Sequence, residues 1–198
     1  MYLKYHTDAV VLGVSDSGEA DRTYRLLTRD AGLVFATGKS VRSLKSKLRY
    51  ALQPLSLSEV SLVRGNGVWR LASAVPKSNA FFSLTYAGKY ESVLTLARVL
   101  TIVERLVRGE EKNTGLYDIV EQGYEHLSKN TLSPDEILTL ECLLLLRVLH
   151  NLGYLKHEAR VTEHVVRNDM TPEALTAVAA YRKECIVEIN RALKESQL

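Results

Sequence analysis

Two cysteines in 198 residues, Cys142 and Cys185, are too few for a disulfide framework or for a zinc site made of four cysteines. Long apolar runs are also missing. The longest pure-leucine stretch is Leu143 to Leu146, far short of the ~18–20 residues that cross a bilayer. The opening MYLKYHTDAVVLGVSDSGEAD has no small-residue cleavage site and runs into acidic residues, so no signal peptide is expected, and the reduced cytoplasm is the expected location. Acid is nearly absent from one region: positions 31 to 90 hold one carboxylate, Glu59, against nine lysines and arginines. There is no P-loop, no Ser/His/Asp set, no paired-carboxylate arrangement and no HExxH or CxxC spacing, so an enzyme is not expected. His150, His157 and His164 are spaced by seven, but Gly153 interrupts the first interval. No metal site and no cofactor is expected.

What remains is an ordinary globular composition, 46% hydrophobic and 25% charged, with chain enough to bury a core. The net charge of +3 is unevenly spread. Residues 1–80 hold 12 basic and 6 acidic residues, or +6, and residues 81–198 hold 14 and 17, or −3. A basic half beside an acidic half suggests a polyanion-binding domain joined to something else.

The halves also differ in period. Residues 6–14, 22–28, 33–37, 55–63 and 68–72 read as short strands, with Gly65-Asn66-Gly67 a tight hairpin turn between the last two. The phase of the fourth shifts near Glu59, which suggests a bulge there. No helical stretch separates these strands. Five short strands suit a small barrel, OB-fold or SH3-like, and periodicity does not separate the two. From about Leu84 the period becomes 3.6. A helix with the stripe Tyr90, Val93, Leu94, Ala97, Leu100, Val103, Leu106 is followed by one carrying Leu116, Ile119, Val120, Tyr124 and Leu127. Ser133-Pro134-Asp135-Glu136 is a capping box that opens a helix, Ile137 to Leu152, apolar nearly all round and expected at the centre of a bundle. Thr171-Pro172-Glu173 opens the last helix, with the stripe Leu175, Val178, Arg182, Ile186, Ile189, Leu193. Both cysteines fall in apolar helices and read as buried small hydrophobes. The expected fold is multi-domain α+β: residues 1–78 a five-stranded OB-fold β-barrel, residues 79–198 an all-α bundle, with the boundary at Pro76 to Asn79.

The segment Gly38 to Tyr50 carries five basic residues, no acid and three serines. Lys39, Arg42, Lys45, Lys47 and Arg49 suit phosphate neutralisation, the serine hydroxyls suit phosphate hydrogen bonds, and Tyr50 suits stacking on a base. Arg22 and Arg64 extend this candidate DNA-binding set. Arg22 and Arg25 are three apart on a strand and so fall on opposite faces. Trp69, the only tryptophan, is expected in the barrel core or at its rim.

Val11-Leu12-Gly13, Ser17-Gly18-Glu19-Ala20-Asp21-Arg22 and Leu26 to Leu33, followed by Lys39, Arg42, Lys45 to Leu48, Ala51 to Leu55 and Arg64 to Gly67, resemble in order the N-terminal half of RecO, the bacterial recombination mediator family. Leu152-Gly153-Tyr154-Leu155 is similar to that family's turn after a long helix. Many members carry a four-cysteine zinc module after this turn. Here Lys156-His157-Glu158-Ala159-Arg160 follows, so zinc is not implied. The resemblance implies a non-enzymatic, nucleoid-associated bacterial protein of DNA repair and recombination. It would bind single- and double-stranded DNA, anneal complementary strands, contact the single-strand-binding protein tail, and help load RecA with RecR. The residues alone also admit an RNA- or ribosome-binding OB module with a helical protein-docking domain, or an adaptor whose basic face meets an acidic protein.

Overall fold

Alternating apolar and polar residues build five strands in the first 79 residues of a computed structural model that describes residues 3–43, 45–155, 165–166 and 170–196. The strands are β1 (Leu3–Ser17), β2 (Asp21–Thr28), β3 (Gly32–Gly38), β4 (Ser56–Gly65) and β5 (Val68–Asn79). They close into a barrel in the order β1-β2-β3-β5-β4. The β3–β5 pairing is parallel and the other four are antiparallel. A five-stranded barrel leading into helices is the expected OB-fold architecture. Val11, Tyr24, Leu26, Val34, Val60, Leu62 and Trp69 point inward and are sealed from solvent. The β4–β5 turn has φ of 53° at Asn66 and 76° at Gly67, positive values that Asn and Gly accept at little cost.

The strands differ from expectation in three ways. A four-residue helix, α1 (Leu48–Ala51), does lie between β3 and β4, anchored by buried Ala51. β5 continues past Ala72 to Asn79, so Pro76 to Asn79 is paired strand and not linker. Pro76 pairs with Ser58 beside the skipped Lys77, on a part of β5 where the β3 pairing at Trp69 and Arg70 has ended, and a bulge neighbour on a strand paired on one side is where proline is tolerated. The irregularities read near Glu59 belong to the partner strand. The extra residues are Lys77 and Ala72 on β5, and β4 pairs one to one with it from Ser58 to Ser61. A third irregularity falls at Leu12 on β1.

Seven helices lie among the described residues. α2 (Ala80–Tyr86) starts at Asn79, whose side chain accepts from the Phe82 N–H. α3 (Tyr90–Leu106) buries Val93, Leu96, Val99, Leu100 and Val103, a stripe turned away from the expected Tyr90 and Leu94, which stay exposed. α4 (Thr114–Lys129) buries the expected Leu116, Ile119, Val120, Tyr124 and Leu127. α5 (Pro134–Asn151) opens with the expected capping box and packs against α3, α6 (Pro172–Ala180) and α7 (Arg182–Glu195), the central position its all-round apolarity predicts. The expected single last helix is two. Tyr181, at φ −116° and ψ 23°, breaks it; the expected Ile189 is buried, while Cys185 and Ala192 are buried in place of Ile186 and Leu193. Cys142 and Cys185 are buried, and their apolar surroundings push the Cys185 thiol up to about 11. His157 and His164 lie outside the described residues.

The chain separates into two compact units: residues 1–87 with 108–114, and residues 88–107 with 115–198. The segment 108–114 is a strap on the barrel's β2–β3 corner. Gly109 O accepts from Leu33 N at 3.3 Å, and Lys112 Nζ donates to Asp30 Oδ1 at 2.7 Å.

Candidate functional site

The basic loop after β3 is held at both ends by apolar anchors. Val41 is fully buried in the barrel core, and Ala51 and Leu52 are buried at the far end. Between them the serines recur every third residue. The carbonyls of Ser40, Ser43 and Ser46 accept from the N–H groups of Ser43, Ser46 and Arg49, so the loop is a series of tight turns. Its start rests on the β1–β2 turn: Asp21 Oδ1 accepts from Ser40 N at 2.8 Å, and Ala20 O accepts from Arg42 N at 3.1 Å.

The seven expected cations fall into two groups. Asp16 holds two of them, accepting from Arg22 Nε at 3.0 Å and lying 3.7 Å from Arg42 Nη1. Arg64 pairs with Glu110 of the strap at 3.0 Å, and its guanidinium lies 5.1 Å from the centre of the Trp69 ring. Lys39, Lys45 and Lys47 are exposed and touch no carboxylate among the described residues. Arg49 is half-buried on α1, and Tyr50 beside it is 72% exposed. Two further cations of the acid-poor stretch are used structurally. Lys77 pairs with Asp8 at 2.5 Å, and Lys89 donates to the carbonyls of Leu127, Ser128 and Asn130 at the end of α4. Trp69 is buried as expected, with Tyr5 edge-on at 5.1 Å.

The strand register brings together a second group, on the outside of the barrel. Tyr24 and Leu26 face the core, so Thr23 and Arg25 face out, and Arg22 and Arg25 diverge as the spacing requires. Gly13, Arg25 and Phe35 form one cross-strand row; Ser15, Thr23, Thr37 and Arg70 form the next. Arg25 lies flat across β1: a Cβ at Gly13 would fall within its guanidinium. Phe35 is 56% exposed, and Val68, one residue before Trp69 as Phe35 is one before Ala36, is 49% exposed. Phe35 and Arg70 lie outside the set expected from the sequence, and Arg25 is expected only to diverge from Arg22. The signal was there in β3, where Val34 and Ala36 alternate with Phe35 and Thr37. Leu33, buried beside the strap, hid it by making the strand look apolar on both faces.

The strap also sets the electrostatics of its corner. The Lys112 ammonium and the Thr7 hydroxyl donate to Asp30 and hold its carboxyl below the usual range. Burial raises the Tyr24 phenol, an effect partly offset by the nearby Arg22.

Residues 1–79 match the family model described as Recombination protein O N terminal. The chain is 31% identical over 152 residues to a DNA repair protein RecO of Heliobacterium modesticaldum, covering 76% of this chain and 52% of that protein. A DNA repair protein RecO of Bifidobacterium longum is 28% identical over 151 residues, covering 76% of this chain and 61% of that one. A DNA repair protein RecO of Dehalococcoides mccartyi is 47% identical over 64 residues, 32% of this chain and 25% of its own. The chain thus spans about half the length of the curated relatives it matches over most of its own.

Proposed function

The chain belongs to the RecO family through its N-terminal domain, and from that premise we propose that it is a non-enzymatic DNA-binding protein of repair and recombination. The observation that carries this is the loop. Lys39, Lys45 and Lys47 project from a segment pinned to an OB barrel at Val41 and Leu52, and no carboxylate neutralises them among the described residues. Such cations gain by replacing the counterions condensed on a phosphate backbone. Their contacts are to phosphates, so binding follows backbone charge rather than sequence and extends to single- and double-stranded DNA.

Holding two complementary strands by their backbones leaves the base edges free, which is what annealing requires. The relatives' name, DNA repair protein RecO, supports this reading over an RNA- or ribosome-binding module. In the same reading the protein works with RecR, meets the single-strand-binding protein tail and so aids RecA loading. The test is annealing of complementary labelled oligonucleotides, bare and coated with single-strand-binding protein, with a RecR pull-down alongside. Accelerated annealing supports the proposal. Preference for structured RNA with no annealing would move the protein to another class.

A further inference from the structure

We propose that Asp21 is a positioning residue for DNA binding: its carboxylate, at the start of β2, fixes the direction in which the basic loop leaves the barrel. The proposal rests on the DNA-binding reading and adds to it a residue of the opposite charge. The β1–β2 corner holds three carboxylates in six residues, Asp16, Glu19 and Asp21. Beside a loop of cations each of them repels a phosphate backbone, so by charge alone all three oppose DNA binding.

Their geometry separates them. Asp21 is half-buried opposite Ser17 on β1, and its neighbour Arg22 pairs with Gly38, the last residue of β3. That register brings the Asp21 side chain to the chain just past β3, where Oδ1 accepts from Ser40 N at 2.8 Å. Ser40 has φ of 53°, in the left-handed region that a residue with a Cβ keeps only when its surroundings hold it there. The Asp21 hydrogen bond is one such hold, and Ala20 O supplies another by accepting from Arg42 N. The turn at Ser40 sends Val41 into the core and leaves Lys39 and Arg42, on either side, exposed. Gly38 makes room for it, since a Cβ there would lie 2.6 Å from Val41 Cγ2. Asp16 is occupied with Arg22 and Arg42. Glu19 is exposed and makes no hydrogen bond or ion pair among the described residues. Without the Asp21 acceptor the exit direction of the loop is free to vary, and DNA has to restore it at a cost to affinity.

The experiment titrates the full chain and its variants with a labelled oligothymidylate of about 15 nucleotides at several salt concentrations. Asp21→Ala is expected to weaken binding about 3- to 10-fold although it removes a negative charge. Its salt slope should also become shallower, because fewer loop cations reach phosphates together, a change that lowered stability alone does not produce. Asp21→Asn keeps the Oδ1 acceptor without the charge, and is expected to bind as the wild type does or up to about fivefold more tightly. Glu19→Ala removes the same charge from the same corner without an anchor, and is expected to behave like Asp21→Asn. Ser40→Pro removes the donor from the loop side and is expected to weaken binding as Asp21→Ala does, which keeps the test decisive if Asp21→Ala fails to fold. Undiminished binding by Asp21→Ala or Ser40→Pro, or equal loss in Asp21→Asn and Asp21→Ala, would overturn the positioning role while leaving DNA binding intact. Failure of the wild type to bind the oligonucleotide would overturn the DNA reading and this proposal together.

Discussion

Gly13 on β1 lies directly beneath the guanidinium of Arg25, its cross-strand partner on β2. Any Cβ at position 13 would occupy the space of that guanidinium, so the missing side chain is what lets Arg25 lie flat on the sheet. The obstruction is the far end of a flexible side chain. Gly13→Ala is therefore predicted to displace Arg25 while shifting stability by no more than about 0.5–1 kcal/mol. Gly32 is the opposite case. It has φ of 66°, and a Cβ there would strike the backbone of Glu111. Gly32→Ala is predicted to cost about 2 kcal/mol or more, a fall of roughly 4 °C or more in thermal midpoint. Parallel melts of the two variants check the contrast.

Replacing Lys39, Arg42, Lys45 and Lys47 together by Ala is predicted to weaken binding of unrelated DNA sequences alike, because phosphate contacts carry no base information. The folded state should change little. Three of these residues make no ion pair among the described residues, and the fourth, Arg42, is a surface residue 3.7 Å from Asp16. Arg105, Lys129, Lys183 and Lys194, exposed in the helical unit, are the matched control. Equal weakening by both quadruples would show that the loop is not the site.

Much of this was legible from residue order. The hairpin at Asn66-Gly67, the capping box at Ser133 and the centrality of α5 follow from local chemistry, which acts over a few residues. The pairing of Arg64 with Glu110 was not legible, because 46 positions separate the two and only the returning strap joins them. Nor was Lys89's role at the end of α4, where the acceptors are backbone carbonyls with no side-chain signature. Composition counted both as free positive charge. The outward row through Arg25 and Phe35 required the register of three strands, which alternation within one strand does not supply.

Arg64 is predicted to exchange partners. Its ion pair with Glu110 is half-exposed and worth at most about 1 kcal/mol. Glu110→Gln should release Arg64 and tighten single-strand binding by up to about fivefold. Arg64→Ala should weaken binding and reduce the magnitude of the salt slope by about 0.7. Titrations of the two variants check this, and opposite signs are the expected result.

Asp30 ties the strap to the barrel and gives a pH signature. Its carboxyl is held below its ordinary value by Lys112 and Thr7, so on acidification the unfolded chain binds its proton first. The stabilisation is present above the ordinary carboxylate pKa, near about 4, and is lost as pH falls through the lower folded value. Asp30→Asn is predicted to lower the thermal midpoint at pH 7, with the difference from wild type closing toward pH 3. A difference that persisted or grew in acid would contradict the assignment.

The measurement that bears most directly on the central claim is the salt dependence of single-strand binding by the wild type and the loop quadruple. With four or five loop cations on phosphates, log K of the wild type should fall against log salt with a slope of about −3. The quadruple should lose about 0.7 of that magnitude for each cation removed, leaving a much shallower slope. A flat wild-type profile, or an unchanged slope in the quadruple, would contradict the account.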